Sequence, residues 1–201
     1  MHDVSAVLLA AGESTRMGRQ KALLPWRGTT LLDYQVSGLL EAGVSKIVTV
    51  LGYRAETLRS SLQGIPGVVT VLNLRYRTGK VSSIRAGLRQ VSSESTAILV
   101  ISVDQPRSAL LIRRTIQAHN EQGVLITYPV YGDRGGHPII FSATLLPEMV
   151  RIRESRYGLR EVVERHRKRA LRLEIGDPDV LLDLNRPDDY QRAISHSVPA
   201  R

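Results

Sequence analysis

No cysteine occurs in the 201-residue chain, which excludes disulfides, thiolate metal sites and cysteine nucleophiles. The absence fits a reducing cytoplasm. Aromatic residues are scarce at 4%, with one Trp and one Phe, so stacking platforms for single-stranded nucleic acid are few. Long apolar runs are missing as well. Stretches such as Ala97–Val103 fall far short of the ~18 residues that cross a bilayer. The opening Met1-His2-Asp3-Val4 has no basic segment followed by a long apolar one. No secretory signal is expected, and the reading is a cytoplasmic protein with no membrane partner.

Acidic residues are outnumbered, 19 against 28 Lys and Arg, and the net charge of +9 suits nucleic acid, an anionic membrane or a small polyanionic substrate. The densest basic stretch, Arg151–Arg172, also carries Glu154, Glu161 and Glu164 and reads as a mixed, solvated face. Nucleic acid is therefore not the expected partner. Hydrophobic residues at 42% and charged residues at 23% are ordinary globular values. A chain this long buries about 70% of its unfolded surface, so it folds without a staple. The expectation is one domain over residues 1–195, with 196–201 as a frayed tail.

Apolar runs rich in β-branched residues alternate with amphipathic segments. The pattern predicts strands at Val4–Leu9, Lys46–Leu51, Val68–Leu72, Ala97–Val103 and Val124–Tyr128. Helices are expected at Leu31–Ala42, Ala55–Leu62, Ser82–Val91 and Ala109–Gln122, two of them closed by Gly43 and Gly123. Such alternation argues for a three-layer α/β fold on a mostly parallel sheet. After residue 128 a turn-rich Gly132–Pro138 leads to a strand at Ile139–Phe141. Helical segments are read near Leu145–Ile152 and Leu159–His166, strands at Leu171–Ile175 and Val180–Leu184, and a last helix from Pro187 to about Ile194. Parallel sheets place ligands at the carboxyl ends of their strands, so the loops after Leu9 and Val103 come first.

Leu8–Pro25 reads LLAAGESTRMGRQKALLP. The small Ala10, Ala11 and Gly12 let the backbone turn sharply and bring its N–H groups close to an anion. Arg16 and Lys21 supply positive charge for phosphate oxygens, and Ser14 and Thr15 add hydroxyls. Neither G-x-x-x-x-G-K-[ST] nor G-x-G-x-x-G follows the strand, which excludes two familiar phosphate loops and disfavours a kinase-like reading. An acidic residue, Asp104, stands at the mouth of the buried run AILVISV, where packing explains it poorly and where Mg²⁺ would find an oxygen ligand near a triphosphate.

The segment L-A-A-G-x-S-x-R-M-G-x-x-K-x-L-L-P resembles the signature of nucleotidyltransferases with the molybdenum-cofactor-transferase-like (MobA-like) fold. The resemblance implies a Rossmann-like, GT-A-like sheet, a nucleoside triphosphate as donor and release of pyrophosphate. It carries Gly12, Arg16 and Lys21 over as triphosphate-binding residues and transition-state charges, with Leu9, Ala10, Ala11 and Ser14 beside them, and implies Arg16, Lys21 and Asp104 as the catalytic residues. Gly79–Leu88 (GKVSSIRAGL) looks like the family's base and ribose segment, with Gly79 and Ser83 in the pocket. Asp104-Gln105-Pro106 matches the D-x-P whose aspartate holds Mg²⁺. Asp183–Tyr190 (DLNRPDDY) resembles the second metal segment, on Asn185 with Asp183 two residues earlier, although Arg186 and Asp188 depart from the usual Thr and Glu. On a strand, Asp183 and Asn185 would share a face. Gly135-Gly136-His137-Pro138 looks like the G-x-H-P of the branch that includes molybdenum cofactor cytidylyltransferases; His137 either contacts the acceptor or pins its loop. The resemblance thus implies CTP as donor, molybdopterin carrying molybdenum as acceptor, and a molybdoenzyme or its chaperone as a further partner. GTP transfer to the same cofactor, transfer to a sugar phosphate and a non-catalytic nucleotide- or nucleic-acid-binding protein are the alternatives.

Overall fold

The computed structural model describes residues 3–197. The chain begins with β1 (Val4–Ala10), then a small hairpin, β2 (Pro25–Trp26) and β3 (Thr29–Thr30), before α1 (Leu31–Glu41). There follow β4 (Lys46–Leu51), α2 (Ala55–Leu62), β5 (Val68–Leu72), α3 (Lys80–Leu88), β6 (Ala97–Ser102) and α4 (Ala109–Gln122). The second half holds β7 (Ile126–Tyr131), β8 (Arg134–Gly135), β9 (Ile139–Ser142), α5 (Leu146–Met149), α6 (Leu159–Arg165), β10 (Ala170–Glu174) and α7 (Pro187–Ser197).

The main sheet runs β10-β7-β9-β6-β1-β4-β5, with the short β8 on β7. Along that order β9 alone is antiparallel to its neighbours, so the sheet is mostly parallel, as the alternation requires. β1 is central and buried along its whole length, which is why its sequence is an unbroken apolar run around one buried serine. Its side chains alternate between two cores. Ala6 and Leu8 pack with Leu32 and Leu39 of α1, Leu58 of α2, Ile112 of α4 and Tyr190 of α7. Val7 and Leu9 pack with Ile84 and Leu88 of α3, Met149 of α5 and Val162 of α6. Helices thus cover both faces, in three layers.

Local chemistry sets the helix ends. The Thr30 hydroxyl accepts from the Asp33 N–H and caps α1, Ser108 does the same for Leu111 in α4, and Gly123 closes α4 in the left-handed region. Several boundaries differ from expectation. α3 starts at Lys80 rather than Ser82, and the helix expected over Leu145–Ile152 shrinks to a 3-10 turn plus α5. The strand expected at Val180–Leu184 is a 3-10 turn over Pro178–Leu181 followed by irregular chain. Asp177 starts that turn by accepting from Asp179 N–H, and the Val180 and Leu182 carbonyls bond to Arg107 instead of to a neighbouring strand. α7 continues to Ser197, past the expected helix end near Ile194; residues 198–201 lie outside the described residues. No helix among the described residues is long and apolar enough to cross a membrane.

Candidate active site

A cleft of about 430 Å³ opens at the carboxyl ends of β1 and β6. Leu9 and Ala10 line it from the end of β1, Ala11, Gly12, Ser14, Arg16 and Lys21 from the loop that follows, and Gly79 and Ser83 from the start of α3. Asp104 enters from the end of β6, and Asp183 and Asn185 from the segment before α7. Every residue singled out from the sequence is brought together here except His137.

The loop after β1 is folded back on itself. Ser14 and Gly18, both in the left-handed region, bracket a 3-10 turn over Thr15–Met17, with Met17 buried as its anchor. Ser14 Oγ accepts from the Lys21 backbone N–H at 3.0 Å, so the hydroxyl expected for phosphate already shapes the loop with its lone pairs and keeps its proton to donate. Gln20 Nε2 donates to the Tyr53 carbonyl at 2.9 Å, and Tyr53 N–H donates to the Ala11 carbonyl at 3.1 Å, tying this loop to the one after β4. A side chain at Gly52 would lie 2.6 Å from the Ala11 oxygen, so glycine is needed there too. At Gly12 a Cβ would meet nothing within 4 Å, leaving open space at the strand end. Arg16 is exposed and makes no hydrogen bond or ion pair among the described residues.

Lys21 is the centre of the site. Its Nζ donates to Asp104 Oδ2 at 2.7 Å and to Asn185 Oδ1 at 3.3 Å, with the Lys21 side chain only 11% exposed. Asp183 and Asn185 share the cleft because of a tight turn, Asn185 N–H donating to the Asp183 carbonyl at 3.0 Å, and not because of strand alternation. Leu184 N–H donates to the Asp104 carbonyl at 2.9 Å and stitches this turn to the end of β6. Burial first, then the Asp104 charge, holds the Asp183 carboxyl above the usual aspartate range. Among the described residues no three His, Cys, Asp or Glu side chains form a metal cage. The Asp104 and Asn185 oxygens nonetheless converge on one cation, the Lys21 ammonium, so they fit a hard divalent ion that takes its remaining oxygens from phosphate and water.

On the opposite wall Gly79 has φ 121° and ψ 167°, and a Cβ there would lie 2.5 Å from Glu154 Cδ. The buried Ser83 Oγ accepts from Asn73 Nδ2 at 2.9 Å, which leaves its hydroxyl proton free to donate.

His137 lines a second cleft, about 880 Å³, that adjoins the first. Its Nδ1 accepts from Gln105 Nε2 at 3.0 Å, which puts the ring proton on Nε2. Burial, with the nearby Lys80 and Arg107 charges, lowers its pKa to about 3, so the ring is neutral. The two glycines before His137 differ in the space they leave, since a Cβ at Gly135 would meet only the Tyr128 ring, at 3.2 Å. A Cβ at Gly136 would lie 2.0 Å from the Val180 oxygen, so this glycine lets two backbones touch.

Sequence reasoning missed Arg107, Asn73 and Gln105. Arg107 is 1% exposed. Its guanidinium donates to the carbonyls of His137 (2.9 Å), Pro106 (2.9 Å), Leu182 (2.9 Å) and Val180 (2.7 Å). Burial brings its pKa down to about 10, which leaves it charged at neutral pH. It fastens the Asp104 loop, the His137 turn and the Asp183–Asn185 segment together. Its one signal was a basic residue following Asp104-Gln105-Pro106 where an apolar helix begins.

Backbone turns and small residues at the head of a central parallel strand, Arg16 and Lys21 beside them and a carboxylate on the next strand define an α/β enzyme of the nucleotide-handling class. Residues 6–170 match the MobA-like NTP transferase domain family, and the chain belongs to it: it is a nucleotidyltransferase of the MobA-like type. It is 27% identical over 190 residues to the molybdenum cofactor cytidylyltransferase of Escherichia coli K12, covering 94% of this chain and 95% of that protein. It is 35% identical over 153 residues to nicotine blue oxidoreductase of Paenarthrobacter nicotinovorans, covering 72% and 73% of the two chains. Rv0371c of Mycobacterium tuberculosis H37Rv superposes with a TM-score of 0.83 at 31% identity, covering 96% of this chain and 98% of that one. Its complex with manganese gives 0.77 at 30% identity, with the same coverage.

Proposed function

We propose that this enzyme transfers cytidine monophosphate from CTP to the phosphate of molybdopterin carrying molybdenum, and releases pyrophosphate. The observation that carries the reading is the Lys21–Asp104–Asn185 cluster on the cleft at the ends of β1 and β6. An acceptor phosphate oxygen forms a bond to the α-phosphorus while the bond to the bridging oxygen breaks, and that oxygen leaves with the electron pair as part of pyrophosphate. An acceptor phosphate is already largely ionised near pH 7, so no general base is required. Backbone N–H groups of Ala11 and Gly12 and the Arg16 fork hold the triphosphate, and Lys21 meets the charge that grows on the bridging oxygen. Asp104, with Asn185 and Asp183, would hold Mg²⁺, which would supply Lewis-acid neutralisation of phosphate charge. The manganese complex of Rv0371c supports a divalent ion in this family.

The name of the E. coli relative supports CTP. Ser83, with its oxygen committed to Asn73, offers a hydroxyl donor to the base, and cytosine O2 and N3 are acceptors. A polyanionic acceptor suits the +9 chain, and the second cleft beside the first gives it a place. The test is pyrophosphate release from CTP and GTP with molybdopterin, with and without Mg²⁺, set beside Asp104→Ala. CTP-dependent release that needs Mg²⁺ and falls by orders of magnitude in Asp104→Ala supports the reading. Preferred use of GTP would move the chain to guanylyl transfer. No release with either nucleotide would favour other chemistry, such as the oxidoreduction named for the Paenarthrobacter relative.

A further inference from the structure

The two clefts meet along a wall that contains Lys80, Ser102 and Gln105, residues that line both. Gln105 is committed on both sides of its amide, its Oε1 accepting from Ser102 N–H at 3.1 Å and its Nε2 donating to His137. Lys80 differs. It is exposed, is the charged member of that wall, and its ammonium makes no hydrogen bond or ion pair among the described residues. Glu154, the acid that packs on the neighbouring Gly79, is held instead by the Val81 N–H at 2.8 Å. The charge of Lys80 reaches into the second cleft, where it opposes protonation of His137.

We infer that Lys80 is a further catalytic residue, one that grips the phosphate end of the acceptor at the junction of the clefts and delivers it to the α-phosphorus. The inference rests on the nucleotidyl-transfer reading for its chemistry, but not for its binding step. A compact ammonium with three rotatable donors can follow a phosphate oxygen as it moves from ground state to bond formation, which a fixed hydrogen-bond donor cannot. The uncommitted cation between a triphosphate cleft and a larger second cleft selects acceptors that end in a phosphate monoester over those that end in a hydroxyl.

Two measurements test this. In the first, inorganic phosphate is titrated calorimetrically into enzyme saturated with Mg²⁺ and the non-transferable α,β-methylene analogue of CTP. Wild-type enzyme is expected to bind phosphate, and Lys80→Met to bind it at least tenfold more weakly, with Lys80→Arg in between. Any loss of analogue affinity in Lys80→Met should be at least tenfold smaller than the loss of phosphate affinity. Equal phosphate affinity in wild type and Lys80→Met, equal losses of both ligands, or no phosphate binding by wild type would overturn the assignment. In the second, pyrophosphate release with CTP and molybdopterin should fall at least a hundredfold in Lys80→Met, and full turnover there would also overturn it. Absence of release by wild type would refute the transfer reading alone, since the phosphate titration still decides the role of Lys80.

Discussion

Lys21 reaches the head of the cleft by a backbone route, through Ser14 Oγ, and its ammonium sits 2.7 Å from the carboxylate of Asp104. Such a point charge stabilises whatever negative charge grows beside it, and does so more in the transition state than in the ground state. Lys21→Ala is therefore expected to lower kcat by about 10²–10³ with a much smaller change in KM for the nucleotide. A rise in KM at constant kcat would make Lys21 a uniform binding residue. His137 sets a pH dependence of stability. Its ring pKa is lowered to about 3 in the fold, whereas the unfolded chain takes up the proton near the ordinary 6.5. The neutral ring's contribution is full above pH 6.5 and is lost as pH falls toward 3, by at most about 1.4 kcal/mol per pH unit. Thermal melts from pH 7 to pH 4.5 should show the wild type losing Tm faster than His137→Asn. Parallel curves would mean that burial of His137 carries no proton linkage.

Helix α3 carries Lys80 and Ser83 into the site, and what sets its height over the sheet is a missing side chain. A Cβ on Gly87 would lie 2.4 Å from Val7 Cγ1 and 2.9 Å from Val50 Cγ2. Gly87→Ala must push α3 away from β1 and β4, an overpacking cost of about 1–3 kcal/mol. Calorimetry should show a Tm lower by about 2–4 °C per kcal/mol, together with a raised nucleotide KM because Ser83 moves with the helix. An unchanged Tm would show that the sheet gives way there freely. At this scale the long periodic elements were legible. The spans of α2, α4, β4 and β5 match the pattern, because in a two-faced parallel sheet burial follows apolar periodicity closely. Short elements were not. The run Val180–Leu184 is as apolar as a strand, yet its carbonyls turn to a buried guanidinium that no local pattern announces.

For the molecule as a whole, Arg107 is the fastening that matters most. Arg107→Met would leave the carbonyls of His137, Pro106, Leu182 and Val180 without that donor in buried surroundings, and the expected loss is more than about 3 kcal/mol. Denaturant titration measures it, and a loss under about 1 kcal/mol would mean that water or a shifted backbone replaces the guanidinium. Arg107→Lys should recover only part, since a single ammonium cannot reach the donors' fork of positions. By itself the sequence determined the layered α/β fold, the strand-end loop with Gly12, Arg16 and Lys21, and the acid at the end of β6. Each of these is written in contiguous residues, whose order follows from apolar period and turn chemistry. Only the tertiary structure decided that Asn185 comes to Lys21 across 164 positions of chain, that Asn73 holds Ser83, that Arg107 binds three loops into one, and that Lys80 stands between two clefts. These depend on which backbone groups become buried beside which side chains, and burial of that kind exists only once the sheet and its helices have closed.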